Sequence, residues 1–464
     1  MPYIFILYFF VFSIGFFVYL RKPQMLFIYW LSVPPFIVPL FFILFNPSYI
    51  GEQTFDTFYW GYLTPLSYLL IVVTFLEYLK DRDKVSNIKK IIKPLIIVSV
   101  FFVVQNLLTG FSFGPLISNI REILFLLLPT LALSISSTIR PDRKLLIRFI
   151  FYFIIIQTLF CFFNTLGLSV YSKFIEDATF ADDYFSGTFL RYNHLTNYLT
   201  TMYLILTIEY FVNNAIPKYV FILFTLLLGI IILMSGARIS VVLFFMIIGM
   251  SLLFYRGRNL ILISVLAAVF LWGVSFFASK YDVGIQNADS SSGLERNVTG
   301  LVDLAGSQDT DDNTLALSAI LLVTNFNNPL MGNGYAFRNT TEYDISDNMN
   351  EEVVKTDARM AYMLVEYGII GFLCLVYLFC RIFKANMVQF NVENRRMWIL
   401  IILYYIAFTF TETGIFDLMQ FSMISILCFS RETMDIDNQE EQNEIPEVVS
   451  EDNDGIIGEE FEKV

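Results

Sequence analysis

Four short segments carry the side chains whose types and spacing could do chemistry. The first, Ser186-Gly-Thr-Phe189-Leu-Arg191-Tyr-Asn193-His194-Leu-Thr-Asn197, holds the single histidine beside an arginine and two asparagines. An arginine next to the amides that open a helix makes an anion site; the plainer reading is a polar cap at a membrane surface. The second is Ser235-Gly-Ala-Arg238, a very short turn between two apolar stretches. Its arginine needs a compensating charge, either a bound phosphate or diphosphate, or a lipid headgroup or nearby carboxylate. The third, Pro329-Leu-Met-Gly332-Asn-Gly334-Tyr335, has glycines either side of an asparagine, which permits a tight turn with positive φ. The fourth runs from Thr356 through Asp357 and Arg359 to Glu366, Gly368 and Gly371. Asp357 suits a helix cap. Glu366, about two turns into a helix, must pair with an arginine or line a polar cavity, because a bare carboxylate at that depth is costly.

Other candidates carry less. Asp309-Thr-Asp311-Asp312-Asn313 has the start of a calcium loop without its central glycine or distal glutamate. Asn297-Val-Thr299 and Asn339-Thr-Thr341 match a glycosylation pattern that short sequences meet by chance. There is no Walker motif, basic nucleic-acid patch or Cys/His metal cluster in the sequence. The four cysteines (Cys161, Cys374, Cys380 and Cys428) lie in or beside apolar stretches at no metal-site spacing.

The elements that must position these residues are membrane helices. Of 464 residues, 56% are hydrophobic and only 16% charged, too little polar surface for a water-soluble protein of this size. Crossing the hydrocarbon takes roughly 20 apolar residues. Candidate spans are 3–20, 25–46, 60–78, 93–109, 122–138, 147–166, 195–212, 218–234, 239–255, 260–278, 360–380, 398–411 and 415–430, with Pro34-Pro35 expected to kink the second. The last two are short enough to form one broken hairpin. The sequence therefore predicts an all-α, polytopic helix bundle of about 12–13 transmembrane helices, with one large extracytoplasmic loop.

Loop charge orients the bundle. Arg21-Lys22, Lys80 to Lys93, Arg140 to Lys144, Lys218, Arg256-Arg258 and Arg381 to Arg396 occupy alternate loops, which the positive-inside rule assigns to the cytoplasm. The intervening loops 47–59, 167–190 and 279–358 are acidic or nearly neutral. The membrane domain is expected over 1–430, with the extracytoplasmic loop at 279–358 and a smaller one at 167–190. Residues 431–464 hold 13 acidic residues against Arg431 and Lys463, a like-charged block expected to be a disordered cytoplasmic tail.

In order and in membrane placement, the four segments resemble the O-antigen polymerase and O-antigen ligase superfamily. Gly187 to Asn193 is similar to the family's G-x-F-x-x-P-N, with Tyr192 in place of proline. Ser235 to Arg238 resembles its small-residue Ser-Arg turn, with Ala237 for serine. Pro329 to Gly334 follows P-L-x-G-x-G. Asp357 to Gly371 resembles H-N-x-Y-L…E-x-G-x-x-G, with Asp357 where ligases have histidine, a departure that favours the polymerase branch.

The resemblance implies transfer of a growing glycan from undecaprenyl diphosphate to a sugar hydroxyl of a lipid-linked repeat unit. It implies a multi-pass protein of the bacterial inner membrane working at its outer face, without metal, nucleotide or other cofactor. The expected diphosphate clamp is Arg238 with Arg191 or Arg359; the expected base is Asp357, with His194 in reserve. Asn193, Asn197, Glu366 and Arg338 are expected to line the substrate cavity. Implied partners are the undecaprenyl-diphosphate-linked glycan, the bilayer, a chain-length regulator and a flippase, but no nucleic acid. The rival readings are an O-antigen ligase and a lipid-linked oligosaccharide flippase. A flippase should show many charges at mid-span positions and short outer loops, and this chain shows neither.

Overall fold

A computed structural model describes residues 2–45, 63–80, 87–109, 131, 135, 139, 143–165, 187–189, 192–211, 215–235, 238–254, 328–334, 359–387, 399, 403 and 404. Among these the regular structure is entirely helical, with no strand. The helices are α1 (Pro2–Arg21), α2 (Leu26–Ser32), α3 (Val38–Phe45), α4 (Leu63–Lys80), α5 (Asn87–Leu108), α6 (Arg143–Thr165), α7 (Tyr192–Phe211), α8 (Lys218–Met234), α9 (Arg238–Phe254) and α10 (Arg359–Met387). They overlie nine of the thirteen expected spans. Those expected at 122–138, 260–278, 398–411 and 415–430 lie wholly or almost wholly outside the described residues. So do the tail and all but short pieces of the two outer loops.

The surface pattern is that of a protein dissolved in lipid. On α5 the outward residues are Ile96, Ile97, Val100, Val103, Val104 and Leu107, while Gln105 and Asn106 are buried. On α6, Tyr152, Ile155, Leu159 and Phe162 face out and Gln157 is buried. Polar groups turn inward because hydrocarbon offers them no partner. Pro23–Phe41 and Lys144–Phe163 are long and apolar enough to cross a membrane. Shorter apolar helices include Phe5–Arg21, Ile92–Leu108, Lys218–Leu233, Ser240–Ser251 and Met363–Leu378.

The expected kink at Pro34-Pro35 is a π turn, Val33–Ile37, between α2 and α3. Its cause can be followed bond by bond. Neither proline has an N–H to give the helix. The Trp30 carbonyl accepts instead from the amide of Val33. Leu31, four residues before Pro35, accepts a hydrogen bond from the hydroxyl of Tyr198 on α7. A defect in one helix is thus met by a side chain of another.

Helix pairing follows from similar contacts. α1 and α4 run parallel: Tyr19 Oη donates to Glu77 Oε1 at 2.6 Å, and Lys80 Nζ lies 2.7 Å from the same oxygen. Around α7 pack α8, α9 and α6. Tyr203 stacks near Phe244 of α9, with ring centroids 4.6 Å apart, and Tyr210 on Phe221 of α8 at 4.3 Å. Phe153 of α6 meets Tyr198 at 4.9 Å. A second apolar cluster joins α5 to α10 through Val98, Phe101, Phe102, Met363, Tyr367 and Leu375. In lipid, apolar contact between helices adds little over contact with acyl chains. Close packing and interhelical hydrogen bonds of about 0.6 kcal/mol each set these pairings.

Candidate functional site

The four sequence segments meet in two pairs. The first pair joins the opening turns of α7 and α9. α7 begins at Tyr192 and α9 at Arg238, and the two helices run parallel, so both starts lie at the same end of the bundle. Ser240 Oγ lies 2.9 Å from Thr196 Oγ1 and 3.0 Å from Asn197 Oδ1. Its single proton serves one of them at a time. Ser240, Thr196 and Asn197 are all buried. This polar contact fixes Arg238, two residues earlier on α9, close to the turn that carries Asn193, His194 and Asn197. His194 is half-buried there.

Just ahead of α7, Gly187 adopts φ 60°, which an L side chain rarely takes. The turn docks on α6 through a two-way amide contact. Thr188 N donates to Gln157 Oε1 at 2.9 Å, and Gln157 Nε2 donates to Thr188 Oγ1 at 2.7 Å. Phe189 is buried against Phe153 and Tyr198. The Gly-Thr-Phe pattern therefore has a physical reading: a glycine for the turn, a hydroxyl for Gln157, and a ring for the core.

The second pair joins the Pro329–Gly334 segment to α10. Inside α10, Gly368 breaks the helix with φ 65° and ψ −176°, a region essentially reserved for glycine. Residues 328–334 fill the break. Ile369 N and Ile370 N donate to Pro329 O and Leu330 O at 2.9 and 3.1 Å. In return Asn333 N and Gly334 N donate to Val365 O and Glu366 O, both at 2.9 Å. An uninterrupted helix would have bonded 369 to 365 and 370 to 366; the docked segment stands between each of those pairs. The two glycines of the segment have φ 73° and 84°. A Cβ on Gly332 would strike the Glu366 carbonyl, and one on Gly368 would strike the Gly332 amide and the Leu330 carbonyl. Gly371 lets Phe101 of α5 lie against α10.

Of the expected site residues, the structure brings Asn197 and the start of α9 together and sets Glu366 beneath the docked segment. Glu366 is wholly buried, at 0% exposure. Arg238 and Arg359 are the first residues of α9 and α10, and Asn193 is the second of α7. Asp357, Arg191 and Arg338 lie outside the described residues. Two participants were not singled out from sequence, Gln105 and Gln157. Each is an amide in the second half of a largely apolar span, and a polar residue at that position was itself the available signal.

The profile of the O-antigen ligase family matches residues 223–376, about a third of the chain. The matched stretch takes in the Ser235–Arg238 turn, the docked 328–334 segment and the break in α10. The first segment precedes it. The match supports the resemblance to the O-antigen polymerase and ligase superfamily and does not distinguish its two branches. Proteins of this family are integral membrane, glycosyltransferase-like enzymes acting on lipid-linked glycans. No curated protein matches the chain.

Proposed function

We propose that this chain, whose residues 223–376 carry the O-antigen ligase match, is a surface-polysaccharide repeat-unit polymerase, acting on O-antigen or capsule at the outer face of the inner membrane. The donor is a glycan on undecaprenyl diphosphate and the acceptor a hydroxyl of a second lipid-linked repeat unit. The bond from the anomeric carbon to the diphosphate oxygen breaks, and a bond from that carbon to the acceptor oxygen forms. The acceptor proton passes to Asp357, or to His194 in reserve, and undecaprenyl diphosphate departs. Diphosphate is already a good leaving group, so the protein's work is to align two lipid substrates and to meet charge as it develops on the departing oxygens.

The observation that carries this reading is the buried Ser240–Asn197 contact of 3.0 Å. It holds the start of α9, with Arg238, beside the histidine- and asparagine-bearing start of α7. Two helix starts that share one end of the bundle, with their dipoles pointing the same way and an arginine at one of them, suit an anion of the size of a diphosphate. Arg191 and Arg359 complete the proposed clamp. Asn193, Asn197, Glu366 and Arg338 shape the sugar-binding side. A polymerase is favoured over a ligase because Asp357 stands where ligases place histidine. The ligase is the second reading, favoured by the description of the matched family.

Deleting the gene and resolving the surface polysaccharide on a gel tests the choice. A single repeat unit on its anchor is the polymerase outcome. Loss of all attached glycan with long lipid-linked chains accumulating is the ligase outcome, and an unchanged ladder discards both. In the complemented strain, Arg238→Ala is expected to abolish polymer at an unchanged protein level. Wild-type polymer in that strain refutes the role of Arg238.

A further inference from the structure

Gln105 stands near the end of α5, and its carboxamide reaches the break in α10. Its Nε2 lies 2.5 Å from Met331 O and 2.6 Å from Glu366 O. One of these carbonyls belongs to the docked segment and the other to the helix it enters. Both protons of a single amide nitrogen therefore bridge the two sides of the joint. Chemistry dictates the orientation, since a flipped amide would press its oxygen against two carbonyl oxygens. Gln105 is only 1% exposed, and its Oε1 is buried without a hydrogen-bond partner. The residue thus bears the cost of an unsatisfied acceptor in order to supply two donors at this spot.

The backbone bonds at the joint are exchangeable on one side only: if the segment leaves, its amides at 333 and 334 and its carbonyls at 329 and 330 lose their partners. The α10 groups that bind the segment, the carbonyls of 365 and 366 and the amides of 369 and 370, are those that would bond one another in a continuous helix. α10 therefore loses no hydrogen-bonding satisfaction when the segment leaves. Side-chain contacts add to this exchange: Met331 packs on the apolar cluster between α5 and α10, and the two bonds of Gln105 exist together only when Met331 O and Glu366 O stand side by side.

We infer that Gln105 is a positioning residue. It locks residues 328–334 into the break and thereby sets the direction of the outer half of α10, which begins at Arg359 and carries Glu366. Its consequence for turnover rests on the function proposed above; its consequence for the joint does not.

The test uses the full-length protein in lipid nanodiscs with Gln105→Met, which keeps length and volume, and Gln105→Leu as a second variant. Both substitutions remove the two donors together with the orphaned Oε1, and leave the Met331 carbonyl without the donor it has in the parent. Spin labels at Leu330→Cys and Leu373→Cys, both at exposed positions, report the joint by pulsed dipolar distances in a background freed of native cysteines. Transfer of glycan between lipid-linked repeat units is measured per folded molecule. The expected result is a narrow distance distribution in the parent and a broad one in both variants. Turnover should fall roughly a hundredfold, as misplacement of a reacting group by about 1 Å does. KM for the lipid-linked donor should stay within about twofold, because substrate binding itself is not removed. An unchanged narrow distribution in both variants overturns the proposal, as does parental turnover per folded molecule. If the parent transfers no glycan at all, the proposed function fails, while the distances still decide what Gln105 does.

Discussion

At the scale of the residue, glycine geometry is the sharpest constraint. Gly368 has a backbone conformation that costs any other residue about 1–3 kcal/mol, and its Cβ would meet the Gly332 amide and the Leu330 carbonyl. Gly368→Ala is therefore expected to destabilise the protein by more than that strain alone, measured as a lower unfolding midpoint in mixed micelles. Gly249→Ala is the control: a Cβ there meets nothing within 4 Å, and replacing a glycine in a helix interior should raise stability by about 0.5–1 kcal/mol. The turn-forming role of Gly332 and Gly334 was legible in sequence, because two glycines around an asparagine have few other uses. That Gly368 answers them was not. Nothing in E-x-G-x-x-G states that its first glycine breaks a helix to admit a segment more than thirty residues earlier. Gln105 and Gln157 were visible as amides in apolar spans, but their partners are long-range carbonyls and a hydroxyl that no periodicity announces.

At the scale of the element, span positions were the most legible feature. The apolar run at 218–234 coincides with α8, and 239–255 differs from α9 by one residue at each end. The kink at Pro34-Pro35 was equally legible, since proline withholds an amide wherever it stands. Its repair by Tyr198 was not, because it depends on how α7 packs. That repair makes a coupled expectation. Tyr198→Phe removes the donor to the Leu31 carbonyl and should cost from about 0.6 up to about 1.7 kcal/mol. Pro35→Ala returns a helical amide to that carbonyl. In the Pro35→Ala background, Tyr198→Phe should then be nearly neutral. A double-mutant cycle on unfolding midpoints measures the difference, and equal costs in both backgrounds would show that the Tyr198 hydroxyl does not stand in for the amide that Pro35 withholds.

At the scale of the whole molecule, the side contacts sort the helix ends into two groups. Tyr19, Glu77 and Lys80 gather at one end. Gln105 with Glu366, and Gln157 with Thr188, join helix ends that loop charge assigns to the opposite side. With basic loops held in the cytoplasm, a membrane-impermeant maleimide applied to intact spheroplasts is expected to label Asn328→Cys and to spare Lys144→Cys until the cells are opened. The reverse pattern would leave the proposed reaction on the wrong face. The pairing of α5 with α10 has a further consequence for biosynthesis. Gln105 and Glu366 are 261 residues apart in sequence. During synthesis α5 is therefore complete long before α10 leaves the ribosome. Through that interval the Gln105 amide is without the two carbonyls that later satisfy it, and segment 328–334 has no cleft to enter. The nascent bundle thus carries an incomplete polar seam until its late helix arrives, and a chain stalled before residue 359 would present that seam to the surrounding acyl chains.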